Sequence, residues 1–146
     1  MLILISLLSA ITFSFAHTIE FIGPCSEKPL HSQEIGPKFE TVGDLTVFVL
    51  QKNNIPYVGS EQGINQVFNT PVGDAALEVI SDTEMRSYGW CFFVDGEMSS
   101  DYANQVYLTP SVKKIQWIYG YAEFKKDAWV SMCKKTYKLK PKFICK

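Results

Sequence analysis

A chain of 146 residues is the length of one domain, and 47% hydrophobic side chains are enough to form a folded core. The 14 basic and 15 acidic residues leave a net charge of −1, unlike the strongly basic composition typical of nucleic-acid-binding domains. The charge is uneven, because residues 125–146 contain eight lysines and one acid. We expect no nucleic-acid partner, and contact of Lys125–Lys146 with an anionic surface is one hypothesis beside a solvated tail.

Residues 1–16 predict a signal peptide. Residues 1–15 carry no charged side chain, and Ser14 and Ala16 place small residues at the positions that a signal peptidase reads. The apolar run is too short to span a bilayer stably, although an uncleaved anchor is the alternative. We expect a mature chain that begins at His17, has no membrane span and is secreted or periplasmic.

Four cysteines follow, and an even number in an exported chain predicts two disulfides. Three pairings are possible. Because Cys133 and Cys145 are close in sequence, we expect them to pair with each other and Cys25 to pair with Cys91. A zinc site would need closely spaced ligands such as C-x-x-C, which the chain does not contain. We expect no metal and no cofactor.

Residues 17–37 contain three prolines and two glycines, which predict an extended arm with at most one short strand, Thr18–Ile22. A helix is predicted next, from Leu45 to Asn53, with Asp44 as its N-cap and Pro56 beyond its end. The β-branched residues of this segment make a strand the alternative.

The rest of the domain predicts strands. The β-rich run before Asp95-Gly96 predicts a hairpin over Gly89–Glu97, because this dipeptide favours a two-residue turn. Other strands are expected near residues 64–68, 75–80, 105–108 and 112–124, the last from regular alternation. The fold class is therefore α+β, with a sheet of four to five strands packed on one short helix.

Two aromatic segments carry a family resemblance: residues 88–97, which read YGWCFFVDGE, and residues 115–122, which read IQWIYGYA. Together with TVGD at residues 41–44, their order and spacing resemble the transcobalamin-like C-terminal domain family over about residues 38–124. The resemblance implies a β-grasp-like mixed sheet. Residues 17–37 and 125–146 lie outside it, as the arm and as a lysine-rich, disulfide-tied C-terminal extension.

In that family the domain closes over cobalamin beside a large helical barrel, and this chain has no room for such a barrel. The resemblance therefore implies an exported β-grasp binding module rather than a complete cobalamin carrier.

The residues give little support for catalysis. The two histidines, His17 and His31, both lie in the predicted arm, and no motif for a nucleophile, a catalytic metal or a phosphate site occurs. We expect that the protein is not an enzyme.

Aromatic side chains on two strands are the candidate ligand-binding residues: Trp90, Trp117, Tyr119 and Tyr121. By the two-residue period of a strand, residues 117, 119 and 121 share one face. We expect Trp117 to pack on the helix, and Tyr119 and Tyr121 to reach the sheet rim with their hydroxyls in water. Core packing is the alternative for all four.

Two functional hypotheses follow. The first is a binding module that holds a small flat ligand or a partner chain at its sheet face or edge. The second is a structural envelope or surface protein that makes contacts through its basic tail.

Overall fold

The computed structural model describes residues 16–146, so the predicted signal peptide lies outside the described residues except for Ala16. Within this range no helix is long and apolar enough to cross a membrane. The strands are β1 (His17–Ile22), β2 (His31–Ile35), β3 (Tyr57–Ser60), β4 (Gly63–Val67), β5 (Leu77–Ser81), β6 (Glu84–Val94), β7 (Glu97–Met98), β8 (Lys114–Lys125) and β9 (Ala128–Lys135). The helices are α1 (Val42–Lys52) and α2 (Thr136–Leu139).

A mixed sheet of seven strands is built around β8. β6 pairs antiparallel with β8 along its whole length. On the other side of β8, β1 runs parallel to the first half and β9 runs antiparallel to the second half. β2 and β5 extend the sheet, β7 pairs with the end of β6, and β3 and β4 form a separate hairpin. A mostly β, mixed sheet packed on a helix is therefore confirmed, but it has more strands than the four to five predicted, and a second short helix follows it.

Residues 17–37 are part of the sheet and not an extended arm. β1 lies between β2 and β8, and Ile19 and Phe21 are fully buried. The predicted strand at residues 18–22 is confirmed. The prolines that suggested an arm lie in the loops that follow β1 and β2, where they do not interrupt a ladder.

Helix α1 begins at Val42 rather than Leu45, because Thr41 and not Asp44 is its N-cap. The backbone N–H of Asp44 donates to Thr41 Oγ1 at 3.1 Å. The Asp44 carboxylate instead lies in the first turn, where negative charge favours the helix dipole. Leu45 packs in the main core, fully buried between helix and sheet.

The strand predicted at residues 105–108 is wrong. A short 3-10 turn, Ala103–Gln105, occupies its start. Beyond that turn, the Val106 carbonyl accepts a hydrogen bond from Val42 N–H, and Leu108 N–H donates to the Glu40 carbonyl. This segment therefore uses its backbone to hold the start of α1 in place, and only one isolated bridge, between residues 41 and 107, resembles strand pairing.

Both predicted disulfide pairs are wrong. Cys25 pairs with Cys145, and Cys91 pairs with Cys133, with Cα separations of 5.4 and 6.4 Å that suit a disulfide. The prediction assumed that the shortest sequence loop would close. Instead, β9 runs beside β8 and places Cys133 on the same sheet face as Cys91, while the residues after α2 carry Cys145 back to the loop after β1.

Candidate binding site

The edge of β6 that faces away from β8 is interrupted. β5 pairs with β6 only as far as Ser87, and β7 begins to pair at Phe93. Ser99 N–H donates to the Phe92 carbonyl at 3.1 Å, so the even-numbered residues of β6 direct their backbone groups to this side. Within residues 16–146, no strand pairs with this edge between Tyr88 and Phe92.

The β3–β4 hairpin forms the opposite wall of a cleft along this open edge. The carbonyl of Gln62, at the hairpin tip, accepts a hydrogen bond from Ala103 N–H at 3.0 Å. Gly43 of α1 allows the tip to approach closely, because a Cβ atom there would overlap the Glu61 carbonyl oxygen. We call the space between β4 and the open edge of β6, residues 88–92, the edge cleft.

Two adjoining cavities of about 450 and 500 Å³ make up the edge cleft. Ile64 and Asn65 of β4 and Trp90 of β6 line both of them. Each volume falls in the range of small-ligand sites. The walls are chemically mixed: Val72 contributes apolar surface to one cavity, and Asp101 contributes a carboxylate to the other.

Trp90 is the fixed aromatic wall of the cleft. Its indole N–H donates to Thr70 Oγ1 at 2.8 Å. Its ring meets Phe21 and Tyr119 edge-on, with centroids 6.4 and 5.6 Å away. The side chain is only partly buried. An aromatic ring that is already ordered can offer apolar surface to a ligand without a large further loss of side-chain entropy.

Trp117 and Tyr119 lie deeper than Trp90. Trp117 is 2% exposed and forms part of the wall of one cavity, while its indole N–H donates to Thr46 Oγ1 at 2.9 Å. The prediction that Trp117 packs on the helix is therefore confirmed. Tyr119 is fully buried, and its hydroxyl donates to the Pro71 carbonyl at 2.8 Å.

The prediction that the Tyr119 hydroxyl reaches water at the sheet rim is wrong. Tyr119 packs in a buried cluster with Ala76 and Tyr88, and Ile144 packs against this cluster. Burial accordingly raises the pKa of Tyr119 above its usual value.

Tyr121 is half-buried beside a charged network. The Arg86 guanidinium lies 5.5 Å from the centre of its ring. Arg86 in turn contacts Glu78 at 3.2 Å and Glu123 at 3.5 Å. A hydrogen bond from Lys134 holds the pKa of the Glu123 carboxyl below its ordinary value. Tyr121 does not line either cavity of the edge cleft.

A third cavity, of about 550 Å³, lies on the sheet face opposite α1. Gly89 and Gly120, which are directly opposite each other in β6 and β8, form part of its lining. Met98 and Met132 also line it, as does the second disulfide. We call it the open-face cavity. It borders the same stretch of β6 as the edge cleft, from the other side of the sheet.

Among residues 16–146, no three His, Cys, Asp or Glu side chains are grouped so that they could hold a metal ion. His17 is buried, with Nδ1 2.9 Å from the Val112 carbonyl oxygen. His17 pairs with Ile35 and His31 pairs with Phe21, so the two histidines lie at opposite ends of the β1–β2 ladder.

No known protein family matches this sequence, and no curated protein matches it either. Among solved structures, the chain is similar to a protein from Ruminococcus gnavus ATCC 29149 described as a "putative metal binding protein". The similarity covers 72% of this chain and 97% of that chain, at 17% sequence identity and a TM-score of 0.46. A similarity this distant assigns neither a family nor a ligand to the chain.

Sequence reasoning singled out Trp90 but missed the cleft that it lines. The strand predicted near residues 64–68 is confirmed as β4, but no sequence pattern predicts its position opposite β6. The interruption of the β6 edge depends on where two other strands stop pairing. The sequence of β6 does not predict where this pairing stops. Asn65 therefore could not be identified from the sequence as a site residue.

Proposed function

We propose that the protein is an exported, non-enzymatic binding module that holds its ligand in the edge cleft. The observation that carries this proposal is the interrupted edge of β6, which lies against cavities already formed and walled by Trp90. The two disulfides indicate an oxidising, extracellular compartment, which supports export.

The four predicted ligand-binding residues take different parts in this proposal. Trp90 is placed to touch a ligand, and Trp117 to form part of the wall behind it. Tyr119 packs against Trp90 and supports its orientation from the core. Tyr121 lies beyond the cleft, and we assign it a supporting contact at most.

Two further points support a binding role without catalysis. The resemblance to transcobalamin-like C-terminal domains favours a β-grasp binding module, with a flat molecule such as cobalamin as one occupant. In addition, Asp101 is the one carboxylate among the residues that line the edge cleft. The cleft therefore lacks the pair of neighbouring acid and base groups that hydrolytic chemistry commonly uses.

Asn65→Arg tests the proposal, because Asn65 is exposed and lines both cavities. A long charged side chain there should fill the cleft, while an exposed substitution changes stability by only about 0.5 kcal/mol. Ser32→Arg is the matched control, because Ser32 is exposed on β2, at the far edge of the sheet.

The measurement is equilibrium binding of two probes, cyanocobalamin and a pool of capped hexapeptides with alternating apolar and hydroxyl side chains. We expect at least one probe to bind the wild type and the Ser32→Arg variant, and to bind Asn65→Arg at least about tenfold more weakly. Binding of neither probe, or equal binding to all three proteins, would contradict the proposal.

The basic C-terminal segment supports a second candidate function, contact with an anionic surface. Its exposed lysines Lys126, Lys138, Lys140, Lys142 and Lys146 form no ion pair within residues 16–146. Deleting residues 125–146 would be a poor test, since the segment includes β9 and two disulfide cysteines.

The better test is a triple change to Glu at positions 138, 140 and 142. Retention on anionic vesicles should fall in this variant, and retention of the wild type should fall with added salt, because exposed charges are screened within about 8 Å at physiological ionic strength. Retention that is the same in the triple variant and at high salt would contradict the second candidate function.

A further inference from the structure

We propose that the occupant of the edge cleft is an extended peptide chain, which adds to β6 as a short strand between β5 and β7. This inference rests on the proposed function and names the class of partner for the same site. Four properties of the cleft carry it: its free backbone edge, its length, the cavities on both faces of the sheet, and its low charge.

The first property is the backbone of β6. The last β5 pair, Leu77 with Ser87, is a non-hydrogen-bonded pair, so its flanking ladder bond already uses the Tyr88 N–H. The Tyr88 carbonyl, both backbone groups of Trp90 and the Phe92 N–H face the gap, in the same direction as the Phe92 carbonyl that Ser99 uses. Sheet edges of this kind are templates for pairing with another chain. A small flat molecule would leave most of these regularly spaced groups to water, whereas an added strand would use them in sequence.

The second property is length. The interruption spans residues 88–92, which is about 17 Å of extended chain at 3.4 Å per residue. A strand of four or five residues therefore fits between the last β5 pair and the first β7 pair. A shorter gap would not accept a strand, and an open edge without β5 and β7 would not define where a partner begins and ends.

The third property is the position of the cavities. Successive side chains of a strand point to opposite faces of a sheet. The edge cleft lies on the α1 side of residues 88–92, where Ile64 and Trp90 line it. The open-face cavity lies on the other side, where Gly89 and Met98 line it. An added strand would therefore find space for its side chains on both faces.

The fourth property is the chemistry of the walls. Asp101 is the one ionisable carboxylate that lines the three cavities, and no lysine or arginine lines them. Apolar surface comes from Ile64 and Trp90 on one face, and from Met98 and Met132 on the other. The partner we infer is an uncharged segment rich in apolar and small residues, in keeping with these walls.

The test uses capped hexapeptides in which three alternate positions hold Val, Leu, Phe or Tyr and the others hold Ser or Thr. The tightest binder is made again in two versions, N-methylated on one or the other set of alternate residues. N-methylation removes backbone donors and keeps every side chain. We expect at least one version to lose about tenfold or more in affinity, since two hydrogen bonds are lost.

A second readout is amide hydrogen exchange of the protein. The parent peptide should slow exchange at the Trp90 and Phe92 amides, which face the gap, and the weakened version should not. If both N-methylated versions bind like the parent, or if these two amides exchange at the same rate with and without it, the inference is overturned. If no peptide binds but cyanocobalamin does, the inference fails and the proposed function stands. If neither binds, both fail.

Discussion

Gly120 and Gly89 face each other across β6 and β8, but their surroundings differ. A Cβ atom on Gly120 would lie 3.0 Å from the Cys133 sulfur and 3.1 Å from the Cys91 sulfur. A Cβ atom on Gly89 would meet nothing within 4 Å. The glycine at position 120 therefore leaves the space that the disulfide occupies.

This contrast predicts different effects of two identical substitutions. Gly120→Ala should lower the free energy of unfolding by about 1–3 kcal/mol, because the added methyl group overpacks the disulfide. Gly89→Ala should be neutral or slightly stabilising, since it restricts the unfolded chain without a clash. Urea denaturation of both variants checks this, and equal losses of stability would mean that the disulfide does not crowd position 120.

The Glu123 carboxylate predicts a dependence of stability on pH. Lys134 holds its pKa below the ordinary value of about 4.3, so the charged form is favoured in the folded protein. The resulting stability is present above that ordinary value and is lost as the pH falls through the lowered folded pKa. Glu123→Gln lacks this contribution at every pH.

We therefore expect the wild type to exceed Glu123→Gln in stability at pH 7 and the difference to shrink below about pH 4. Denaturation curves at a series of pH values measure it. Glu97→Gln, which removes an exposed carboxylate at the β6–β7 turn, is the matched control. A difference that stays constant down to pH 3 would show that the Lys134 contact does not favour the charged form.

Among the elements, β9 and α2 determine the disulfide pattern. By the loop-entropy relation, closing the 120-residue separation between Cys25 and Cys145 is worth about 5 kcal/mol, and the 42-residue separation between Cys91 and Cys133 about 4 kcal/mol. Either contribution is large beside the usual stability of a domain. The two bonds tie both ends of the described chain to the sheet.

Non-reducing peptide mapping tests this pattern directly. Trypsin separates all four cysteines, because a lysine lies between each one and the next. We expect one linked peptide pair that contains Cys25 and Cys145 and another that contains Cys91 and Cys133. A pair that links Cys133 to Cys145 would contradict the observed arrangement of β9.

Local sequence patterns predicted the helix and strands well, but they predicted poorly which strands pair with each other. The Asp95-Gly96 turn, the alternation of β8 and a helix near residues 45–53 could all be read from neighbouring residues, because turn chemistry and side-chain period are local. The prolines and glycines of residues 17–37 predict an arm, because they are typical of loops and the strands between them are short. Pairing of β1 with β8 joins residues almost a hundred positions apart, and no local signal specifies it.

In the candidate site, too, local sequence predicts some features and tertiary packing determines the others. Trp90 could be selected because an aromatic residue on a predicted strand is visible in the sequence. The alternation of β8 correctly placed Trp117 against the helix. Burial of the Tyr119 hydroxyl could not be predicted, because its cluster with Ala76 and Tyr88 arises from tertiary packing. The edge cleft itself depends on β4, β5 and β7 at once.

In the whole molecule, the β6 edge of the seven-stranded sheet is interrupted between β5 and β7. The β3–β4 hairpin and Trp90 line the cleft beside this interruption. The three tryptophans report on different regions: Trp90 lines the cleft, Trp117 is buried in its wall, and Trp129 is exposed on β9. Trp129 also lies within the basic C-terminal segment. The indole signals can therefore distinguish the proposed site from the second candidate.

The most direct measurement is titration of the ¹⁵N-labelled protein with the hexapeptide pool and with cyanocobalamin, following the three indole N–H signals. If the edge cleft is the binding site, the Trp90 signal shifts on addition of a binding probe, and the Trp129 signal stays in place. A shift of Trp129 with no change at Trp90 would contradict the account and place binding on the C-terminal segment.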